Sequence, residues 1–413
     1  MSGPAARALA ATTASQRAFA GIFAVTALGL LSIGATLPVL PRYVTGPLGE
    51  GDVAVGIVGG AFAVTGLLFR PIGGAFADAR GRKRVVVAGA LITVGGGILL
   101  FLPLDVPGLV LSRLVVGAGE GMVYTAGAAW IVDMSPPERR GRIIGLYGLA
   151  IWGGLSIGPP VGELLLEQFD YEAVWAFTAI APMIGALIAM RIPESYEPVE
   201  ISRPAGVGAR LRSLVATESL VPGSALAMTI VGYATLASFI VLHAEDRDIG
   251  HGALVFTSFA ATVVTMRIFG GWIPDRYGGA RTAAAAAAIA GCGSLVIALA
   301  TSLAAVIAGA VLMGAGFALI FPSLALLVIN RVPEERRGAA MGTFTAFFDI
   351  GVGLGSPLAG AAAALGSYGA SFALAAAFGT GTIVIALTAG RRIERQAIAS
   401  PHLEPLPEPA PPG

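Results

Sequence analysis

The chain has 413 residues, 55% of them apolar and 12% charged, with a formal net charge of +1. A soluble domain carries about 25% charged residues, so this composition excludes an ordinary globule and points to a chain that spends most of its length in lipid. The balanced charge, with no basic patch interleaved with aromatics, argues against a nucleic-acid partner, and a single cysteine, Cys292, excludes an intrachain disulfide or a cysteine-based metal site.

The first seventeen residues carry Arg7 and Arg17 and read as a cytoplasmic tail. The apolar run that follows is too long for a cleaved signal and ends in Pro38 and Pro41 rather than at a small-residue cleavage site. It is read as a first crossing over 18–41. Further crossings are predicted over 53–77, 85–104, 107–132, 143–166 and 172–190. A polar, proline-bearing segment over 191–219 separates these from 220–243, 250–273, 282–301, 303–329, 339–364 and 369–390. The count of twelve rests most firmly on Thr282–Asn330, which holds no formal charge over 49 residues. As one helix it would be about 73 Å long, more than twice a hydrocarbon core, so it must turn, near Thr301 and Ser302. A second turn is predicted at Gly366–Gly369, and the Pro-rich end over 391–413 reads as a tail. Runs of this length without strict alternation exclude barrel strands. Basic residues fall on one set of loops (Arg80, Arg82, Lys83 and Arg84; Arg139, Arg140 and Arg142; Arg331, Arg336 and Arg337), whereas the opposite loops hold only Arg42 and Arg247. The positive-inside rule then places both termini in the cytoplasm of a multi-pass inner (plasma) membrane protein.

The two blocks, 18–190 and 220–390, repeat each other. Arg70, Gly73-Gly74, Asp78 and Gly81 recur as Arg267, Gly270-Gly271, Asp275 and Gly278, an offset of 267 − 70 = 197. The same offset relates Gly117 and Gly119 to Gly314 and Gly316, and Arg139-Arg140-Gly141 to Arg336-Arg337-Gly338. Since both blocks begin on the same side, the repeat is parallel, about an axis along the membrane normal. Such duplicated folds hold a substrate between halves near the midplane and rock one half against the other.

Over essentially its whole length the chain resembles the major facilitator superfamily. Gly74-Ala-Phe-Ala-Asp78-Ala-Arg80-Gly81-Arg82-Lys83 is similar to that family's loop between helices two and three. The resemblance implies a conformational latch at Gly74, Asp78 and Arg82, with Asp133 as a third member. Gly279 and Ala280 replace Arg82 and Lys83 in the second copy, so a full second latch is not expected. Gly154-Leu-Ser-Ile-Gly158-Pro159-Pro160-Val-Gly162 resembles the antiporter signature that the family's twelve-helix drug:proton exporters carry on helix five. Pro160 and Glu163 depart from its usual form, and a kinked packing helix is the alternative reading. Arg113-Leu-Val-Val-Gly117-Ala-Gly119 resembles an element linked in the family to proton transfer, without its usual polar residue at Val116.

Arg113, Gly117, Glu120 and Tyr124 share one helical face. Charges in a membrane span turn toward an interior cavity. Glu120 and Asp349 are the acids too deep to snorkel, and burial penalises a carboxylate's charged form, which is how such an acid comes to accept a proton. Glu120, Asp349 and Arg113 are the proton-coupling candidates, against a structural ion pair. Arg113, Glu120 and Asp349 have uncharged repeat partners in Ala310, Phe317 and Trp152. Arg70 and Arg267 read as structural, His243 as a solvated loop residue, and Tyr124, Tyr233, Phe317 and Phe321 as candidate lining of a substrate cavity.

Taken together, the expectation is an all-α membrane protein of the major facilitator fold, with twelve helices in two six-helix halves. It would act as a monomeric proton-coupled efflux antiporter of amphipathic small molecules, without cofactor or metal and not as an enzyme. No GxxxxGK[ST] loop suggests nucleotide energy. A proton symporter of metabolites or sugars is the alternative within transporters, and a non-transporting receptor or scaffold the alternative of another class.

Overall fold

A computed structural model describes residues 4–135, 140–194, 216–332 and 336–393. Among these residues every regular element is helical. Twelve long helices run in chain order: α1 (Pro4–Thr36), α2 (Asp52–Arg80), α3 (Arg82–Leu99), α4 (Asp105–Asp133), α5 (Arg140–Gln168), α6 (Tyr171–Arg191), α7 (Leu220–Asp246), α8 (Gly252–Gly270), α9 (Gly279–Leu299), α10 (Leu303–Ile329), α11 (Arg337–Leu365) and α12 (Tyr368–Ile385). Eleven spans are long and apolar enough to cross a membrane. The twelfth crossing is α3, whose 18 residues open on Arg82, Lys83 and Arg84 and pack between α4 and α6. The central part of the predicted linker, 195–215, and the Pro-rich tail beyond 393 lie outside the described residues, as do 136–139 and 333–335.

The two predicted turns form where expected, and each is built by a serine. Ser302 accepts a hydrogen bond from the Ala305 amide and Ser367 from the Ala370 amide, satisfying donors that the first helical turn leaves unpaired. Several spans differ from the sequence reading, and two of the differences lie at a proline. The first does not run unbroken to residue 41: α1 stops at Thr36, and Pro38, which has no amide donor, leads into a short helix over Val39–Thr45. The third ends at Leu99 rather than 104, because Pro103 lies in the turn that follows.

The repeat is visible contact by contact. A methyl added at Gly117 would lie 2.0 Å from the Phe62 carbonyl oxygen, and one at Gly314 would lie 2.6 Å from that of Phe259. One at Gly119 would lie 2.5 Å from the Gly89 oxygen, and one at Gly316 would lie 2.3 Å from that of Ala286. All four pairs obey the 197-residue offset. Bare backbone is what lets α2 and α3 both close on α4, and α8 and α9 both close on α10. The α2–α3 and α8–α9 turns also share a backbone: Gly81 has φ 95° and Gly278 φ 85°, a region that L side chains avoid.

The halves meet closely at the arginine-poor end. Gly56 and Gly360 take α2 against α11 there, with added methyls 2.5 Å from the oxygens of Ser356 and Asp52 respectively. Arg42, just after α1, joins both Glu163 of α5 (3.2 Å) and Glu245 of α7, so one guanidinium ties the two halves.

Candidate functional site

Between the halves lies a cavity of about 210 Å³ walled by α1, α2, α4 and α5 from one side and α7, α8, α10 and α11 from the other. Most of its wall is apolar, as in small-molecule sites generally, with a few polar groups converging on it. The charged side chains in that wall are Arg70, Arg113, Glu120 and Arg267.

The helical stripe on α4 divides. Arg113, Glu120 and Tyr124 reach the cavity, while Gly117 turns to α2. Arg113 does not pair with Glu120. Its Nη1 donates to Thr36 Oγ1 (3.3 Å) and its guanidinium lies 5.4 Å over the Phe62 ring. Glu120 is 5% exposed, and its Oε2 has no hydrogen-bond partner. Its carboxyl occupies room left by Gly29 of α1, where an added methyl would lie 2.1 Å from Oε1. Arg70 lines the same cavity.

Arg70 is more than the scaffold residue its repeat suggests. From α2 it crosses to α11, where its Nη2 donates to Asp349 Oδ1 (3.1 Å) and its Nε lies 2.8 Å from Oδ2, an ionic contact outside hydrogen-bond geometry. The guanidinium also stacks 4.8 Å over Tyr124. A hydrogen bond between two charged groups is stronger than a neutral one and fixes geometry as well as charge. Asp349 is 2% exposed and stands behind Arg70 rather than in the cavity wall. Gly66 of α2 leaves it space.

The candidate aromatics also divide. Tyr124, Tyr233 and Phe321 line the cavity. Phe317 does not: it is buried behind the wall, 5.2 Å from Trp152 and 5.6 Å from Tyr233, and faces a small separate void of about 20 Å³. Trp152 of α5 was not expected in the site and lines it, with Tyr233 at 5.9 Å and Arg267 5.6 Å over its ring. The offset offered a signal, since Trp152 is the repeat partner of Asp349 (349 − 197 = 152).

The charged residues of the α2–α3 loop converge. Arg82 binds Asp78 and, through Nε, Asp133 at 3.0 Å. Gly73, rather than Gly74, makes the tight contact behind them: an added methyl would meet Met122 at 3.0 Å, against 3.4 Å from Thr125 at Gly74. In the second copy Gly279 stands in place of Arg82, so the triad has no counterpart there.

The helix-five glycines form a packing seam onto α1. An added methyl would lie 2.7 Å from the Ala27 oxygen at Gly154, 2.5 Å from Gly34 Cα at Gly158 and 2.0 Å from the Ala35 oxygen at Gly162. Pro159 abuts Gly34 from the same seam. The seam recurs on α11, where Gly351 and Gly355 meet α7 at Ile230 and Val231. Pro160, a departure from the signature, is the repeat partner of Pro357 (357 − 197 = 160).

His243 is fully buried rather than solvated. Its Nε2 lies 2.9 Å from the Ile297 carbonyl oxygen and its ring 5.2 Å from Phe372, because α7 runs inside the C-terminal half at this level. Among the described residues no cluster of three or more His, Cys, Asp or Glu side chains could hold a metal.

A family profile described as Major Facilitator Superfamily matches residues 22–253 and 223–412. An uncharacterized MFS-type transporter of Salmonella typhimurium is 32% identical over 364 residues, covering 86% of this chain and 92% of the relative. A second, from Pseudomonas aeruginosa, is 30% identical over 379 residues, covering 90% and 92%. Among solved structures, the nucleoside transporter NupG superposes with a TM-score of 0.76 at 13% identity, over 91% of this chain and 99% of its own. The human organic anion transporter MFSD10 superposes with a TM-score of 0.66 at 19% identity, over 90% and 99%. These last two speak for the fold alone. The chain belongs to the major facilitator superfamily and is a multi-pass membrane transporter, not an enzyme.

Proposed function

We propose that this member of the major facilitator superfamily couples proton movement to transport of amphipathic small molecules by alternating access, exporting substrate in exchange for protons as a monomer. The observation that carries the coupling is Glu120: a carboxyl in the cavity wall with one oxygen unpartnered, beside an arginine already held by Asp349 of the other half. A charged Glu120 competes with Asp349 for Arg70, whereas a protonated one leaves the cross-half bridge intact. Proton loading is thereby tied to the contact between α2 and α11, the helices that also close the arginine-poor end. With the arginine-rich loops and both termini cytoplasmic, that end is the outer one, and Arg42 with Glu163 and Glu245 is its gate.

The export direction rests on the helix-five seam and its resemblance to the exporters' signature. Proton symport is the second reading. It is favoured by the surplus of arginines in the cavity, because neutralising Glu120 strengthens the pull on an anion and loads proton and anion together.

Flux in everted vesicles under an imposed proton gradient tests the proposal. Uncoupler-sensitive accumulation of substrate supports antiport, and uncoupler-sensitive expulsion supports symport. Flux that ignores the uncoupler, or full gradient-driven flux in Glu120→Gln, sinks proton coupling through this residue.

A further inference from the structure

The two halves build the same cross-contact twice, but with different chemistry. Arg70 on α2 reaches Asp349 on α11. The offset maps Arg70 to Arg267 on α8 and Asp349 to Trp152 on α5. Arg267 does reach Trp152, its guanidinium 5.6 Å from the ring centre, and its Nη1 lies near Gly148 of the same helix. The geometry is retained while the counter-charge is not. A cation over an indole face is attracted to the ring's quadrupole, which does not cancel its charge.

Arg267 is therefore a cation in the cavity wall with no carboxylate partner among the described residues, and its Nε is buried without a hydrogen-bond acceptor. Arg113 is a second such group: 5% exposed, lining the same cavity, held by a neutral hydroxyl and a ring, its Nε also unpartnered. The charges around the cavity are Arg70, Arg113 and Arg267 against Glu120 and Asp349, a sum of 3 − 2 = +1 that rises to +2 when Glu120 is protonated. Charges inside a membrane span are paired or hydrogen-bonded, because an isolated one is costly. Here the protein supplies one acid to Arg70 and leaves two guanidinium groups in the cavity wall without a carboxylate among the described residues.

Next to those arginines stands an apolar, aromatic surface: Trp152 and Tyr233 at 5.9 Å, with Phe348 6.0 Å from Tyr233. All three face the cavity. Flat rings of this kind accept an aromatic or alicyclic body in offset or edge-on contact.

We propose that the substrate is a small organic anion, a carboxylate or sulfonate on a flat apolar body. Arg267 receives its charge, Arg113 of the opposite half adds to the positive potential of the cavity, and Trp152, Tyr233 and Phe348 receive its ring. The assignment rests on the cavity of a transporter and not on the direction of coupling. A ligand seated on Arg267 of one half and Trp152 of the other also holds the halves together, which is the contact that alternating access must make and release.

Equilibrium binding to purified protein in neutral detergent, without any gradient, tests this separately from proton coupling. The probes are 2-naphthoate and naphthalene-2-sulfonate, with 2-naphthylmethylammonium and 2-naphthylmethanol as cationic and neutral matches. Both anions should raise the melting temperature by several degrees in a saturable way, and the matches should not. Arg267→Gln should weaken anion binding by tenfold or more, and Arg267→Lys by less. Trp152→Asp, which restores the acid found opposite Arg70, should abolish anion binding in protein that still elutes as a monodisperse peak. If Trp152→Asp does not fold, the Arg267→Gln and Arg267→Lys pair decides. Equal stabilisation by all four probes, preference for the cation, or unchanged anion affinity in Arg267→Gln overturns the proposal. So does stabilisation by phosphatidylglycerol alone with no response to either small anion, which would assign the arginines to a lipid headgroup.

Discussion

Arg70 and Asp349 lie 279 positions apart, on different halves, and meet as an ion pair whose hydrogen bond runs from Nη2 to Oδ1. Removing one partner of a buried pair leaves the other as an uncompensated charge, at a cost of about 3–5 kcal/mol. Asp349→Asn and Arg70→Gln should each lower the melting temperature and transport strongly. The double variant should lose less stability than the sum of the two singles. A double-mutant cycle on melting temperature measures the coupling, and strict additivity would show that the pair contributes nothing as a pair.

Gly29 sets the position of Glu120. A methyl there would lie 2.1 Å from Oε1, closer than any carbon–oxygen contact, so Gly29→Ala must push the carboxyl from its site. Transport should fall tenfold or more with expression and melting temperature little changed. Gly153→Ala, where an added methyl meets nothing within 4 Å, is the matched control and should remain within about 0.5 kcal/mol of the parent. Equal activity in the two variants would remove Glu120's position from the mechanism.

The α1–α5 seam should behave as packing first. Gly158→Val places branched carbons against Gly34 Cα, which an added methyl already approaches to 2.5 Å. Overpacking of this kind costs about 1–3 kcal/mol. Yield of monodisperse protein should drop. The repeat-related Gly355→Val, against Val231, should show a milder version of the same defect, because an added methyl there stops at 3.0 Å. A seam variant that folds normally but loses only the uncoupler-sensitive part of its flux would instead tie the seam to coupling.

Orientation is testable with the chain's own chemistry, since Cys292 is its single cysteine. In a Cys292→Ala background, Arg84→Cys and Asp248→Cys lie at opposite ends of the bundle, both exposed. A membrane-impermeant maleimide added to intact cells should label Asp248→Cys and spare Arg84→Cys, with the pattern reversed in everted vesicles. Labelling of Arg84→Cys from outside would invert the assignment.

Much of this protein is written in its sequence. Apolar run length and uncharged stretches such as Thr282–Asn330 dictate spanning helices, because lipid leaves backbone groups no partner outside the helix. The fixed offset of 197 determines the duplication, and glycine spacing marks which helix faces touch. Glu120, Arg113 and Tyr124 could be assigned to one cavity-facing stripe because neighbours on a helix face are a local property of spacing. The tertiary structure alone decided who pairs with whom. Asp349 binds Arg70 rather than standing free, Glu120 fits against Gly29 rather than meeting Arg113, Phe317 falls behind the wall, and His243 goes inside. Each of these depends on how one half is placed against the other, or on which way a helix is rotated within its half. Composition and periodicity carry no term for either. The twofold arrangement of the halves is also what set Trp152 in the place of an acid, and left Arg267 with a ring where Arg70 has a carboxylate.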